Sequence, residues 1–324
     1  MSGFTWHGGR LKEAQAAYGG DDWIDLSTGI SPLVWTGVEE IAPDWRTLPE
    51  PDDLAALEAA AAAHFGVHPD HVCAIPGSEM GLRLVGPMLA MPGRWLVPSY
   101  RTHGEIFGEG CPVEHWEGAA EQVALLLANP NNPDGRVIPA ARLRQWLAAL
   151  ERAGGWLVID EAYADAVPSC SLASDIGDER RLVLLRSFGK FFGLAGVRLG
   201  FLLGPRGVVA QVRRAMGEWP VSAAAIAFGR AAYRDRQWIE RAVGLLKARA
   251  AALDAVLARH GLDGRGDCPL FRQVAVPDGF VLFERLARRA ILTRPFAENR
   301  HCLRLGLPGD EAALARLDRA LADG

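Results

Sequence analysis

Six short apolar runs, each closed by polar or glycine residues, recur through the middle of this 324-residue chain: residues 71–75, 94–98, 123–127, 156–159, 182–185 and 199–203. Runs this short and this apolar predict buried strands. Segments with helical character separate them. Residues 51–65 open on Pro51 with Asp52 and Asp53 at the positive end of the predicted helix; residues 139–152 and 207–216 follow the same logic. Strands alternating with helices predict an α/β fold, a mostly parallel sheet covered by helices. Beyond it, Glu218 to Ser222 reads as a hinge and residues 223–260 as one long, alanine-rich helix. The last part alternates short strands and helices, with residues 301–306 as an edge-like strand. The expected division is an N-terminal arm (1–34), a large domain (35–217) and a small α+β C-terminal domain (218–324).

Composition narrows the function classes. The chain is 49% hydrophobic and 23% charged with a net charge of -4, so no basic face argues for nucleic acid. Its five cysteines are odd in number, scattered, and without Cys-x-x-Cys spacing, which points away from disulfides and bound metal and toward a reducing, cytoplasmic setting. Residues 1–7 lack the basic flank and apolar core of a secretory signal, and no apolar run approaches bilayer length.

The chemistry concentrates between residues 187 and 200. Ser187 precedes Lys190 by three positions and Arg198 follows it by eight, in glycine-rich backbone between two predicted strands. An amine in an apolar loop beside an arginine should lose its proton more readily, which makes Lys190 a candidate imine-forming nucleophile. Ser187 and Arg198 can hold a phosphate, which bare glycine backbone lets approach closely. An isolated Ser-x-x-Lys would more often be a solvated surface lysine; the arginine and the glycines tell against that here.

Other strand ends carry further candidates. Gly77-Ser78-Glu79 turns a strand into a helix, whose first amides and dipole suit an anion. Asp160 stands at a strand's carboxyl tip, where ligands bind in open α/β sheets. Tyr100 and His103 follow another strand and read either as packing residues or as ring contacts. Residues 129–135, Asn-Pro-Asn-Asn-Pro-Asp-Gly, form a turn. The early stretches His7-Gly8-Gly9-Arg10 and 24–32 are either a frayed end and a turn or an arm that folds over something.

From Ser187-Phe-Gly-Lys190 through Gly196-Val-Arg198-Leu-Gly200, the chain resembles the cofactor-lysine segment of fold-type I pyridoxal 5'-phosphate (PLP) enzymes of the aminotransferase class I/II group. Within that group it is most similar to cobalamin-pathway L-threonine-O-3-phosphate decarboxylases, with histidinol-phosphate aminotransferases as near relatives. The resemblance implies a seven-stranded-type sheet between helix layers, a small C-terminal domain joined by the N-terminal arm, and a homodimer. It implies that Lys190 bears PLP, that Asp160 faces the ring nitrogen with His103 close by, and that Tyr100 stacks on the ring. Asn132 and Tyr163 would share the phenolic oxygen. Gly77, Ser78, Glu79, Ser187 and Arg198 would hold the cofactor phosphate. His7 and Arg10 would meet the phosphate of a small phosphorylated amino acid, with Arg304, or as second choice Arg294, at its carboxylate and Asn132 also in contact with it. Leu48 stands where many relatives have a tyrosine that reaches the partner's cofactor. The expected reaction is decarboxylation of threonine phosphate; the alternatives are a histidinol-phosphate-like aminotransferase and a non-catalytic protein that kept the fold.

Overall fold

The computed structural model describes residues 3–117 and 121–322. The chain divides into two compact units, one of residues 34–132 and 137–241, the other of residues up to Leu33, 133–136 and from Ala242 onward. The expected boundary at 218 therefore moves: residues 218–241 belong with the larger unit. The reason is packing, since the Ala223–Arg234 helix lies along the Pro51–Phe65 helix, and Trp238 stacks on Phe192 with ring centroids 5.4 Å apart.

The larger unit is built on a seven-stranded sheet in the order Val72–Ile75, Gly200–Leu203, Leu182–Ser187, Trp156–Asp160, Ala124–Ala128, Gly93–Leu96, Gly110–Val113. Every pairing is parallel except those of Gly200–Leu203, which runs against both neighbours. Four strands, 72–75, 124–128, 182–187 and 200–203, are buried at every position, as continuous apolar runs require when helices cover both faces. Ile75, Leu82, Val158, Leu185, Leu202 and Val212 meet in one core cluster.

The helices begin and end where local chemistry dictates. Pro51–Phe65 starts with proline in its first turn and stops at Gly66, whose φ of 72° supplies the left-handed cap. The long helix expected over 223–260 is two helices, Ala223–Arg234 and Arg236–Arg259. Asp235 makes the break. Its carboxylate accepts the Trp238 amide at 3.0 Å and the Trp35 indole N–H at 3.1 Å, so it caps the second helix instead of continuing the first.

The smaller unit holds a four-stranded antiparallel sheet in the order Arg294–Pro295, Cys302–Gly306, Phe271–Ala275, Gly264–Arg265. A parallel pair, Ile24–Asp25 with Ile291–Leu292, ties the N-terminal segment into the same unit. The 302–306 strand is not an edge: it is paired on both sides and buried at all five positions. Leu303 and Leu305 fix it in the interior.

Candidate active site

Within the larger unit the sequence-predicted residues gather at the carboxyl ends of the parallel strands. Asp160 closes its strand and is buried; its Oδ1 accepts the Ala162 amide at 3.1 Å and its Oδ2 lies 3.5 Å from His103 Nε2. His103 is fully buried, and its Nδ1 has no hydrogen-bond partner. Ser187 closes the adjacent strand and sits opposite Gly200. Gly200 in turn presses on the next turn, where a Cβ would come within 2.7 Å of the Ser78 amide nitrogen.

That turn is shaped for close approach. Gly77 has φ +94°, a conformation that favours glycine, and a Cβ there would stand 2.8 Å from Arg198 Nη2. Arg198 itself is left-handed at φ 58° and exposed, with Nη1 donating to the Ala195 carbonyl at 3.4 Å. Ser78 begins the Ser78–Leu89 helix. Its first amides and the guanidinium thus lie on one small surface, an anion cradle.

Lys190 departs from the expected open loop: it lies in a four-residue helix, Phe188–Phe191. Phe188, Phe191 and Phe192 are all fully buried and pin this turn to the core, while Lys190 is only partly buried. Its Nζ is 5.9 Å from the centroid of the Tyr163 ring. Tyr163 is buried just after Asp160. Asn132 is half-buried in the turn that leaves the 124–128 strand. Its neighbours fix that turn: Asn129 donates to the Ile138 carbonyl at 3.1 Å and accepts its amide at 2.8 Å, and Asn131 donates to the Pro98 carbonyl at 3.0 Å.

Glu79 does more than offer an amide. Its carboxylate accepts from the Tyr100 hydroxyl at 3.0 Å, from Arg83 at 3.1 Å and from Thr102 at 3.3 Å. Burial works against its charge, yet the bonds from Arg83 and Tyr100 hold the carboxyl below its ordinary range. Burial, then the Glu79 charge, pushes the Tyr100 phenol up to about 12. Tyr100 is therefore a neutral donor. Its ring meets His103 edge-on at 6.0 Å. The Glu79 carboxylate, Asn129 and Asn131 escaped the sequence reading, because Tyr100 and Thr102, Cys170 and Pro98, with which they pair, lie 21 to 41 positions away.

The smaller unit assembles the remaining candidates. Arg294 and Arg304 sit directly across from each other on adjacent strands. Arg304 donates to the Ser27 carbonyl at 2.9 Å and lies 5.0 Å over the Phe271 ring; Arg294 donates to the Trp6 carbonyl at 3.0 Å. The Gly9 amide donates to Ser27 Oγ at 2.8 Å, and a Cβ on Gly8 would meet the Ser27 carbonyl oxygen at 2.4 Å. The half-buried His7 therefore belongs to an arm stitched down at both ends. Arg10 is exposed and turned to Glu13 at 2.8 Å.

Strand-tip aspartate, lysine on a short helix and a glycine-backed anion cradle are the parts of a site that grips a flat anionic ring. Over nearly its whole length, 97% of this chain and 96% of the relative, the sequence is 42% identical to a threonine-phosphate decarboxylase of Pseudomonas aeruginosa. It is 38% identical to a threonine-phosphate decarboxylase of a Sinorhizobium species, covering 99% of each chain. The fold superposes on the crystal structure of histidinol-phosphate aminotransferase from Sinorhizobium meliloti, in complex with pyridoxal-5'-phosphate, with a TM-score of 0.85 at 21% identity, covering 97% of this chain and 93% of that one. The model of one family, aminotransferase class I and II, matches residues 109–317, and with it the chain belongs to the aminotransferase class I and II family.

Proposed function

We propose that this protein is a PLP-dependent decarboxylase of L-threonine O-3-phosphate, releasing CO2 and (R)-1-amino-2-propanol O-2-phosphate for cobalamin assembly. The observation that carries the reading is the near full-length identity to threonine-phosphate decarboxylases.

The residues fit the cofactor on this structure's own evidence. The cradle at Gly77, Ser78 and Arg198 would be filled by any Cβ at Gly77 and suits a phosphate dianion. His103 sets its Nε2 beside the Asp160 carboxylate and keeps a buried, unpartnered Nδ1, so polar capacity suited to a heterocycle's charge gathers here. When bound, PLP supplies an electron sink for the pair left on the substrate's α-carbon as CO2 departs.

The chain's own groups do the rest. Asp160, steadied by the Ala162 amide, would hold positive charge at the cofactor's ring nitrogen. Tyr100, fixed by Glu79, would stack on the cofactor ring, and Asn132 and Tyr163 would donate to its phenolic oxygen. Lys190 Nζ would hold the cofactor and, once displaced by the substrate amine, supply the proton that takes the place of the lost carboxylate on the α-carbon. Arg304 takes the substrate carboxylate, with Arg294 holding the arm, and His7 meets the substrate phosphate. Arg10 joins them on giving up its exposed pair with Glu13, a bond of small worth.

The larger unit leaves Trp45, Leu48, Met80 and Trp219 exposed. A second copy of the chain would cover such surface, and a homodimer in the cytoplasm is part of the proposal. Among the described residues no helix is long and apolar enough to cross a membrane. The competing reading, a histidinol-phosphate aminotransferase, draws on relatives of lower identity, such as one of Symbiobacterium thermophilum at 34% over 92% of this chain, and on a structural likeness that at 21% identity carries the fold alone.

Purified, PLP-loaded protein should release CO2 from threonine phosphate and form no glutamate from histidinol phosphate and 2-oxoglutarate. Glutamate without CO2 would reverse the assignment. Lys190→Ala should abolish release.

A further inference from the structure

Asp160 and Ser187 each have a charged neighbour in the chain, Glu161 and Arg186, and successive strand residues face opposite sides of a sheet. Arg186 is buried, and its Nη1 donates to Glu161 Oε2 at 2.8 Å and to Ser171 Oγ at 3.2 Å. Its Nη2 donates to Asp165 Oδ1. Glu161 accepts further bonds from Ser171 Oγ at 2.6 Å and the Leu172 amide at 2.8 Å, and Asp165 lies 3.0 Å from His64 Nε2.

Rings extend the cluster toward Lys190. The Arg186 guanidinium sits 4.6 Å over Phe65, whose centroid is 5.3 Å from that of Tyr233. Tyr233 is 5.7 Å from Phe188 and 5.2 Å from Phe192, the rings on either side of the lysine. Buried ion clusters contribute little net stability, because desolvation offsets attraction, but they fix geometry wherever every charge is paired. Here one guanidinium spans two carboxylates.

We propose that Arg186 is a positioning residue: by bridging Glu161 and Asp165 it locks the segment that carries Asp160 and Tyr163 to the segment that carries Ser187 and Lys190. The inference rests on the reading that these four residues hold PLP. Arg186 touches neither cofactor nor substrate. It acts through the strand ends on either side of it.

Two variants test this. Arg186→Lys keeps the charge but loses the planar fork that reaches both acids, and Glu161→Gln keeps the shape while removing one charge and turning one of two accepting oxygens into a donor. Cofactor occupancy, circular dichroism of the bound-cofactor band, melting temperature, and kcat and KM per occupied site are measured for each. The expected result is retained cofactor, an altered dichroic band, and kcat reduced about tenfold or more with KM within about threefold, as misplacement of reacting groups produces. A lowered melting temperature with unchanged dichroism and kcat would overturn the proposal, leaving the cluster merely structural. If Arg186→Lys does not fold, Glu161→Gln decides alone. Wild-type protein that binds PLP but releases no CO2 overturns the proposed substrate and not this inference, which the dichroic band still decides.

Discussion

Tyr100 keeps its proton and donates it in a hydrogen bond to Glu79, because a phenol pushed up to about 12 stays neutral at any working pH. Tyr100→Phe deletes that donor while keeping the ring. It should cost about 1 kcal/mol of cofactor binding, roughly a fivefold rise in the PLP dissociation constant, since Glu79 loses a partner and Tyr100 its anchor. Titration of apoprotein with PLP measures it, and an unchanged constant would show the hydroxyl idle. Asp165 offers a pH test. Burial opposes its charge, but Arg186 and then His64 hold its carboxyl below the ordinary value, so the folded state favours the ionised form. Its stabilisation is full above the unfolded-state value and is lost as pH falls through the lower folded one. The melting-temperature gap between wild type and Asp165→Asn should therefore be widest near neutrality and close as pH drops below about 4. A gap independent of pH would mean that the charge contributes nothing. The placement of Asp160 at a strand tip and of Arg198 in a glycine-rich turn was legible because each follows from a local pattern, whereas the short helix that carries Lys190 was not. Arg186 and Glu161 were not, since each looks like an ordinary charge until the sheet register brings the two together.

At the scale of elements, most strands and helices follow from apolar runs and their terminators. The 51–65 helix falls where its proline and acidic first turn place it, with Gly66 ending it. The failures are tertiary. Asp235 breaks the expected 223–260 helix because it finds Trp35, two hundred positions away, as well as the Trp238 amide. Asp235→Ala should remove both bonds and destabilise the larger unit by about 1 kcal/mol, the usual worth of a helix cap. Chemical denaturation would register this as a lower midpoint with unchanged slope. A midpoint equal to wild type would mean the break is held by packing alone. The 302–306 strand was misread as an edge for a related reason: its arginine, an unlikely interior residue by composition, is buried through a bond to the Ser27 carbonyl and the face of Phe271.

Over the whole molecule, the parallel α/β order was legible because burial on both faces leaves a continuous apolar signature, whereas the antiparallel insertion of Gly200–Leu203 leaves none. The division into units was legible only in outline. The first 33 residues join the C-terminal part through the pairing of Ile24–Asp25 with Ile291–Leu292, a contact no local pattern announces. The exposed apolar side chains of the larger unit predict that ultracentrifugation gives about twice the 35.0 kDa chain mass; a stable monomer would leave that surface unexplained. The central claim is that one amine, Lys190, bears the cofactor, and the chain makes this sharply testable because it has only three lysines, Lys12, Lys190 and Lys247. Borohydride reduction of PLP-loaded protein followed by peptide mass mapping should place one pyridoxyl phosphate per chain on the peptide containing Lys190. Label on Lys12 or Lys247, or spread over all three, would contradict the account.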